Sequence, residues 1–139
     1  MGFEIDNEII TDKYTLVKFT FDSNFTIIDF EKFLGILSKL LDISEKNNKP
    51  FGFYVDARNA KMAPLNSATK LSNWMKKEKP RIKEKKMLKA TAVCFNDKYP
   101  FLVKLLKGVF KIYPTVSPNT LTSNITVAKE FTLKYLNDL

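Results

Sequence analysis

The chain has 139 residues, 45% of them hydrophobic and 13% aromatic, with 23 basic side chains against 15 acidic ones and no histidine. That length suits a single domain over residues 1–139, able to bury about two thirds of its unfolded surface, and the apolar fraction excludes an intrinsically disordered chain. The formal net charge of +8 is uneven: between positions 76 and 89, Lys76, Lys77, Lys79, Arg81, Lys83, Lys85, Lys86 and Lys89 face only Glu78 and Glu84.

Cys94, the one cysteine of the chain, lies in the apolar run AVCF and cannot close an internal disulfide. There it behaves as a small hydrophobe. The amino terminus MGFEIDNEII has no basic region followed by an apolar core, and position 6 is Asp6, not the Ser or Thr of a myristoylation signal. A reducing, cytoplasmic setting is therefore expected. Apolar runs fall short of a bilayer span, so a soluble protein is expected too.

Residues 3–10 (FEIDNEII) and 14–21 (YTLVKFTF) alternate apolar and polar positions around Thr11-Asp12-Lys13, the pattern of a hairpin. Thr26 with Asp29 three residues on reads as a capping box, and Phe30, Phe33, Leu34, Leu37, Leu40 and Leu41 then follow the spacing of one buried helix face. Lys32, Ser38, Lys39 and Asp42 lie opposite. Residues 51–58 (FGFYVDAR) form a short apolar run between turn signals, which fits a central strand covered on both faces. Asp56 and Arg58 stand at its carboxyl end, where an open α/β sheet places ligand crevices; Asp56 capping the following turn is the alternative role.

Pro64 suits the first turn of a second helix, with Leu65, Ala68, Leu71 and Met75 on one face and Trp74 at its edge. Pro80 is expected to break or kink that helix. A strand over residues 88–96 (LKATAVCFN) follows, and Asn96 or Asp97 caps a third helix carrying Pro100 in its first turn. Phe101, Leu102, Leu105, Leu106, Val109 and Phe110 form its inward face, and Lys104, Lys107 and Lys111 line another. Pro114 and Pro118 leave only a short or edge strand before Thr122. Ser123 or Asn124 caps a last helix with Val127, Ala128, Phe131, Tyr135 and Leu136 inward. The order ββαβαβαβα implies an α/β fold with a mixed, mainly parallel sheet, helices on both faces and the first strand antiparallel at an edge.

Without histidine the commonest general base and metal ligand is missing. The glycines Gly2, Gly35, Gly52 and Gly108 are too scattered for a phosphate-cradling loop. No catalytic set, metal site or cofactor is expected, and a non-enzymatic protein follows.

The strand FYVDAR followed by a helix, the strand KATAVCFN followed by YPFLVKLLKGVF, and the closing TLTSNITVAKEFTLKYL together resemble the STAS fold. The likeness is to its SpoIIAA-like branch, itself similar to the CRAL-TRIO lipid-binding fold. In anti-sigma-factor antagonists of that family the strand ends in an Asp, matched by Asp56, and a phosphorylatable Ser opens the next helix. Here that place falls on Pro64 or Leu65, and Ser67 comes two or three positions later. The resemblance thus implies a regulatory or scaffold domain without the signalling serine.

Two functions are expected on these grounds. One is binding of a protein partner or small ligand around Asp56, Arg58, Asn59 and Asn96, by a monomer or homodimer. The other is docking of the basic segment on an anionic membrane surface, where each basic residue contributes about 1 kcal/mol. Nucleic acid ranks third, because only Trp74 supplies a stacking ring near those charges.

Overall fold

The computed structural model describes residues 2–60, 67–98 and 117–138. Strands β1 (Phe3–Ile10) and β2 (Thr15–Phe21) pair antiparallel as the expected hairpin. Thr11 closes the turn: its N–H donates to the Tyr14 carbonyl at 2.9 Å, and its hydroxyl oxygen accepts from the Tyr14 N–H at 3.0 Å. Helix α1 (Ile27–Asn47) starts on the capping box, with Thr26 Oγ1 accepting from the Asp29 N–H at 3.3 Å and Asp29 Oδ2 accepting from the Thr26 N–H at 3.0 Å. The bond from the Thr26 N–H is the leading cause that holds the Asp29 carboxyl below its ordinary range. At the other end Asn48 takes a left-handed conformation (φ 50°), which asparagine tolerates at a helix end.

The remaining elements are β3 (Phe51–Asp56), α2 (Ser67–Lys85), β4 (Leu88–Cys94), β5 (Asn119–Thr122) and α3 (Ile125–Asn137). The five strands lie in the order β1-β2-β3-β4-β5, antiparallel between β1 and β2 and parallel elsewhere. This is the expected mixed α/β sheet, and β3 is its middle strand with all six residues buried. The helix expected over residues 101–111, together with Pro64, Leu65, Pro100 and Pro114, lies outside the described residues.

Strand alternation sends side chains to two separate cores. Val17, Phe19, Phe21, Phe53, Val55 and Val93 meet Phe30, Phe33, Leu34, Leu37 and Leu41 of α1 and Ile82 of α2 on one face. On the other face Leu16, Tyr54, Ala92 and Cys94 meet Ala128 and Leu136 of α3. Phe33 is the hub of the first core. Its ring stands edge-on to Phe19, Phe21 and Phe53, with centroids 4.8, 5.1 and 6.2 Å away. On the second face Gly52 permits close docking, since a Cβ there would come within 2.7 Å of Thr132 Cγ2.

Three expectations need correction or refinement. Pro80 does not break α2, which runs continuously from Ser67 to Lys85. Proline withholds one N–H, but it stands on the exposed side of the helix, as does Lys76 four residues before it, while Met75, Glu78 and Ile82 anchor the helix on both sides of it. Val127 does not pack inward but is 46% exposed. Ala128, Thr132 and Leu136, four residues apart, are the buried line of α3, and Val127 falls well round the helix from them. Asn124, not Ser123, is the cap: its Oδ1 accepts from the N–H groups of Thr126 and Val127 at 2.9 and 3.2 Å. Among the described residues no helix is long and apolar enough to cross a membrane.

Because Phe53 couples the middle strand to the α1 core, Phe53→Ala is expected to cost about 3–5 kcal/mol. Urea denaturation measures this. A loss under about 1 kcal/mol would mean that the ring does not carry the sheet-to-helix contact.

Candidate functional site

At the carboxyl end of β3, Asp56 is 6% exposed and already engaged. Arg58 Nε donates to Oδ1 and Nη2 to Oδ2, both at 2.8 Å, and the Arg58 N–H reaches Oδ1 at 3.2 Å. Burial alone would raise the Asp56 carboxyl, but the hydrogen bonds and charge of Arg58 outweigh it and hold the group below its ordinary range. Arg58 is raised in turn, its hydrogen bonds to Asp56 being the leading cause. Asn96 Nδ2 donates weakly to the Arg58 carbonyl at 3.5 Å, and Ala57 N–H to the Cys94 carbonyl at 2.8 Å, so the ends of β3 and β4 are tied together. Asp56, Arg58 and Asn96 thus meet, whereas Asn59 is exposed and makes none of these contacts.

The strands β2 to β5 also follow one another in chain order. Their connections therefore all step the same way across the sheet, and no topological switch point opens among them. Cys94, beside this pair, is fully buried, and burial pushes its thiol up, away from a reactive thiolate.

A second polar site had no signal in the sequence. Glu8 is the extra residue of a bulge in β1, between Asn7 and Ile9. It accepts a hydrogen bond from the Tyr54 hydroxyl and pairs with Lys129 at 3.6 Å. Burial, then that carboxylate, push the Tyr54 phenol far up, so it stays a hydrogen-bond donor. The arrangement fastens the edge strand to α3.

The basic segment divides when it folds. Arg81 leaves the patch: it faces α1, where it pairs with Glu78 and Asp42, lies 3.8 Å from Glu45, and donates from Nη2 to the Ser38 carbonyl at 3.0 Å. Glu78 is 4% exposed, and Trp74 Nε1 donates to Ser38 Oγ at 2.9 Å in the same layer. Lys89 is half-buried on β4. Left outward on α2 are Lys76, Lys77, Lys83 and Lys85, with Lys79 half-buried beside them and Lys86 just beyond the helix end. Of these only Lys77 has a carboxylate within ion-pair distance among the described residues, at 3.9 Å from Glu78. Lys86 takes a left-handed conformation (φ 57°), which costs a side chain about 1 kcal/mol relative to glycine. A cavity of about 560 Å³ lies where α1 and α2 end, lined by Asp42, Glu45, Lys46, Asn48, Lys85 and Met87.

No family model, curated protein or solved structure matches this chain.

Two measurements check these assignments. A depressed carboxyl contributes stability above the unfolded-state value and loses it as pH falls through the folded-state value. Wild type is therefore expected to weaken more steeply below about pH 4 than Asp56→Asn, which starts less stable at neutral pH; parallel urea midpoints for the two would remove the pair from the stability account. Arg81→Ala removes the strongest partner of the buried Glu78 carboxylate, leaving it the longer contacts with Lys77 and Ser38, and is expected to cost about 1–3 kcal/mol. An unchanged melting curve would return Arg81 to the solvent-facing set.

Proposed function

We propose that this protein is a non-enzymatic, STAS-like scaffold or regulatory module whose working surface is the outer face of α2, which binds an anionic partner. The order of elements and the strand-end Asp56 support the STAS-like likeness, and the engaged state of Asp56 favours α2 over the strand end as the place of binding.

The observation that carries this function is the sorting of charge on one helix. The buried acid of the segment, Glu78, is matched inward by Arg81, while lysines are left outward with Glu84 as the exposed carboxylate among them. Lys76 and Lys79, then Lys79 and Lys83, stand three and four residues apart, so like charges are neighbours on the helix surface. Each such pair destabilises an isolated helix by about 0.2–0.5 kcal/mol. A face that served only for solvation would gain from alternating signs. This one gains when an anion relieves it. Lys86 fits the same logic, placing a further positive charge where glycine would be less strained.

The reading is tested on a heparin column and by its salt dependence. Wild type is expected to be retained at low ionic strength and to weaken steeply as salt rises, by release of counterions. Lys76→Glu, Lys79→Glu and Lys83→Glu combined should abolish retention while shifting stability by less than about 0.5 kcal/mol per site. Arg81→Ala should show the reverse, lower stability with retention kept. Wild type passing through the column at low salt would leave α2 as a solvated face only.

A further inference from the structure

The outer surface of the helical layer is wider than α2. At 100° per residue, Ile28, Lys32, Lys39, Ile43 and Lys46 of α1 fall within about 60° of one another, on the side of the helix opposite Phe33, Leu37 and Leu41. All five are exposed, Ile28 at 60% and Ile43 at 54%. Lys32, Lys39 and Lys46 recur every seven residues, and none has a carboxylate within ion-pair distance among the described residues. Gly35 lies in the same stripe, and a Cβ there would meet nothing within 4 Å.

The α1 stripe lies beside the α2 lysines. The two helices pack on the same face of the sheet and are joined through Lys70 with Glu31, Arg81 with Asp42, and Trp74 with Ser38. At their ends the cavity brings Lys46 of α1 and Lys85 of α2 together. The outer face of the layer therefore combines the α1 lysine row and its two large exposed aliphatic side chains with Lys76 and Lys77 of α2, while Lys79 and Lys83 lie on the flank of α2 away from α1.

Each possible occupant makes different demands on such a surface. Single exposed aliphatic side chains are common on protein surfaces, Ile10 of β1 among them at 66%, so the feature to be explained is that Ile28 and Ile43 share one helix face with a row of lysines. Single-stranded nucleic acid uses aromatic rings for stacking, and Trp74, half-buried and bonded to Ser38, is turned into the layer. An anionic bilayer rewards both features at once, because lysines meet headgroup phosphates while aliphatic side chains enter the boundary between headgroups and acyl chains.

We infer that the α1–α2 face docks flat on an anionic phospholipid bilayer, with Lys32, Lys39 and Lys46 of α1 and Lys76 and Lys77 of α2 on headgroup phosphates and Ile28 and Ile43 inserted in the interfacial layer. The two isoleucines are fifteen residues apart, or about 22 Å along the axis. Both reach the bilayer only if α1 lies parallel to it, and that orientation brings α2 alongside and leaves the sheet above. The inference rests on anion binding by the α2 face and adds the source of the anion and the apolar part of the contact.

The test compares the full chain with vesicles of phosphatidylcholine and phosphatidylserine in equal parts, vesicles of phosphatidylcholine alone, single-stranded RNA, and heparin. Wild type is expected to sediment with the mixed vesicles and not with the neutral ones. Ile28→Ser with Ile43→Ser should weaken mixed-vesicle binding at least about tenfold while leaving heparin retention and the melting temperature unchanged. Ile28→Leu with Ile43→Leu should restore vesicle binding, which separates apolarity from shape. Equal vesicle affinity for the serine variant and wild type would overturn insertion. Heparin retention without vesicle binding, or tighter binding to RNA than to mixed vesicles in the same salt, would overturn the bilayer as occupant and leave the α2 reading standing. Binding to none of the probes would remove both.

Discussion

The packing of Phe33 against β2 and β3 is the constraint on which the rest of the molecule depends. Its ring meets Phe19, Phe21 and Phe53 edge-on, and Phe3 and Phe30 lie within 6.4 Å on other sides. Edge-to-face pairs of this kind contribute beyond the area they bury. They also fix the rotation of α1 about its own axis. A helix whose inward side is fixed has its outward side fixed as well, so the placement of Phe33 determines that Lys32, Lys39, Lys46, Ile28 and Ile43 face away from the sheet.

Helix α2 is held by a different kind of contact. Its polar residues Trp74, Glu78 and Arg81 form a layer against Ser38, Asp42 and Glu45 of α1. Burying Glu78 is costly unless its charge is met. Arg81 meets it, and Arg81 rises above its ordinary range because its bonds to Asp42 and Glu78 outweigh the opposing effect of burial. The consequence for function is indirect. Withdrawing one acid and one base into the helix interface leaves lysines as the bulk of what the outer face shows.

The opposite side of the sheet is organised by small size and by one bulge. Gly52 lets α3 approach until Thr132 is fully buried, its hydroxyl donating to the Ala128 carbonyl at 3.1 Å. Glu8, placed by the β1 bulge, receives the Tyr54 hydroxyl and the Lys129 ammonium. An open edge strand invites pairing with other chains, and a bulge carrying a charge discourages it. The strand-end pair of Asp56 and Arg58 belongs to the same scaffold, since it ties the turn after β3 to the adjoining end of β4 through Asn96.

The sequence by itself determined the elements whose causes are local. The hairpin around Thr11, the capping box of Thr26 and Asp29, the buried stripe of α1, the doubly covered strand at Phe53 and a cap at Ser123 or Asn124 each follow from residues within a few positions of one another. What required tertiary structure is whatever depends on a partner distant in the chain. Pro80 looked like a break or kink because its local cost is plain, whereas the anchors that carry α2 through it, Met75, Glu78 and Ile82, are set by packing. Arg81 counted as one more surface charge until α1 supplied Asp42 and the Ser38 carbonyl, forty residues away in the chain. Val127 matched an inward pattern that the approach of α3 over Gly52 turned outward. The α1 lysines and isoleucines were legible only as a polar face with two stray aliphatic residues, because a linear pattern gives the faces of one helix but not which neighbouring helix shares its plane. That juxtaposition comes from α1 and α2 packing side by side on one face of the sheet.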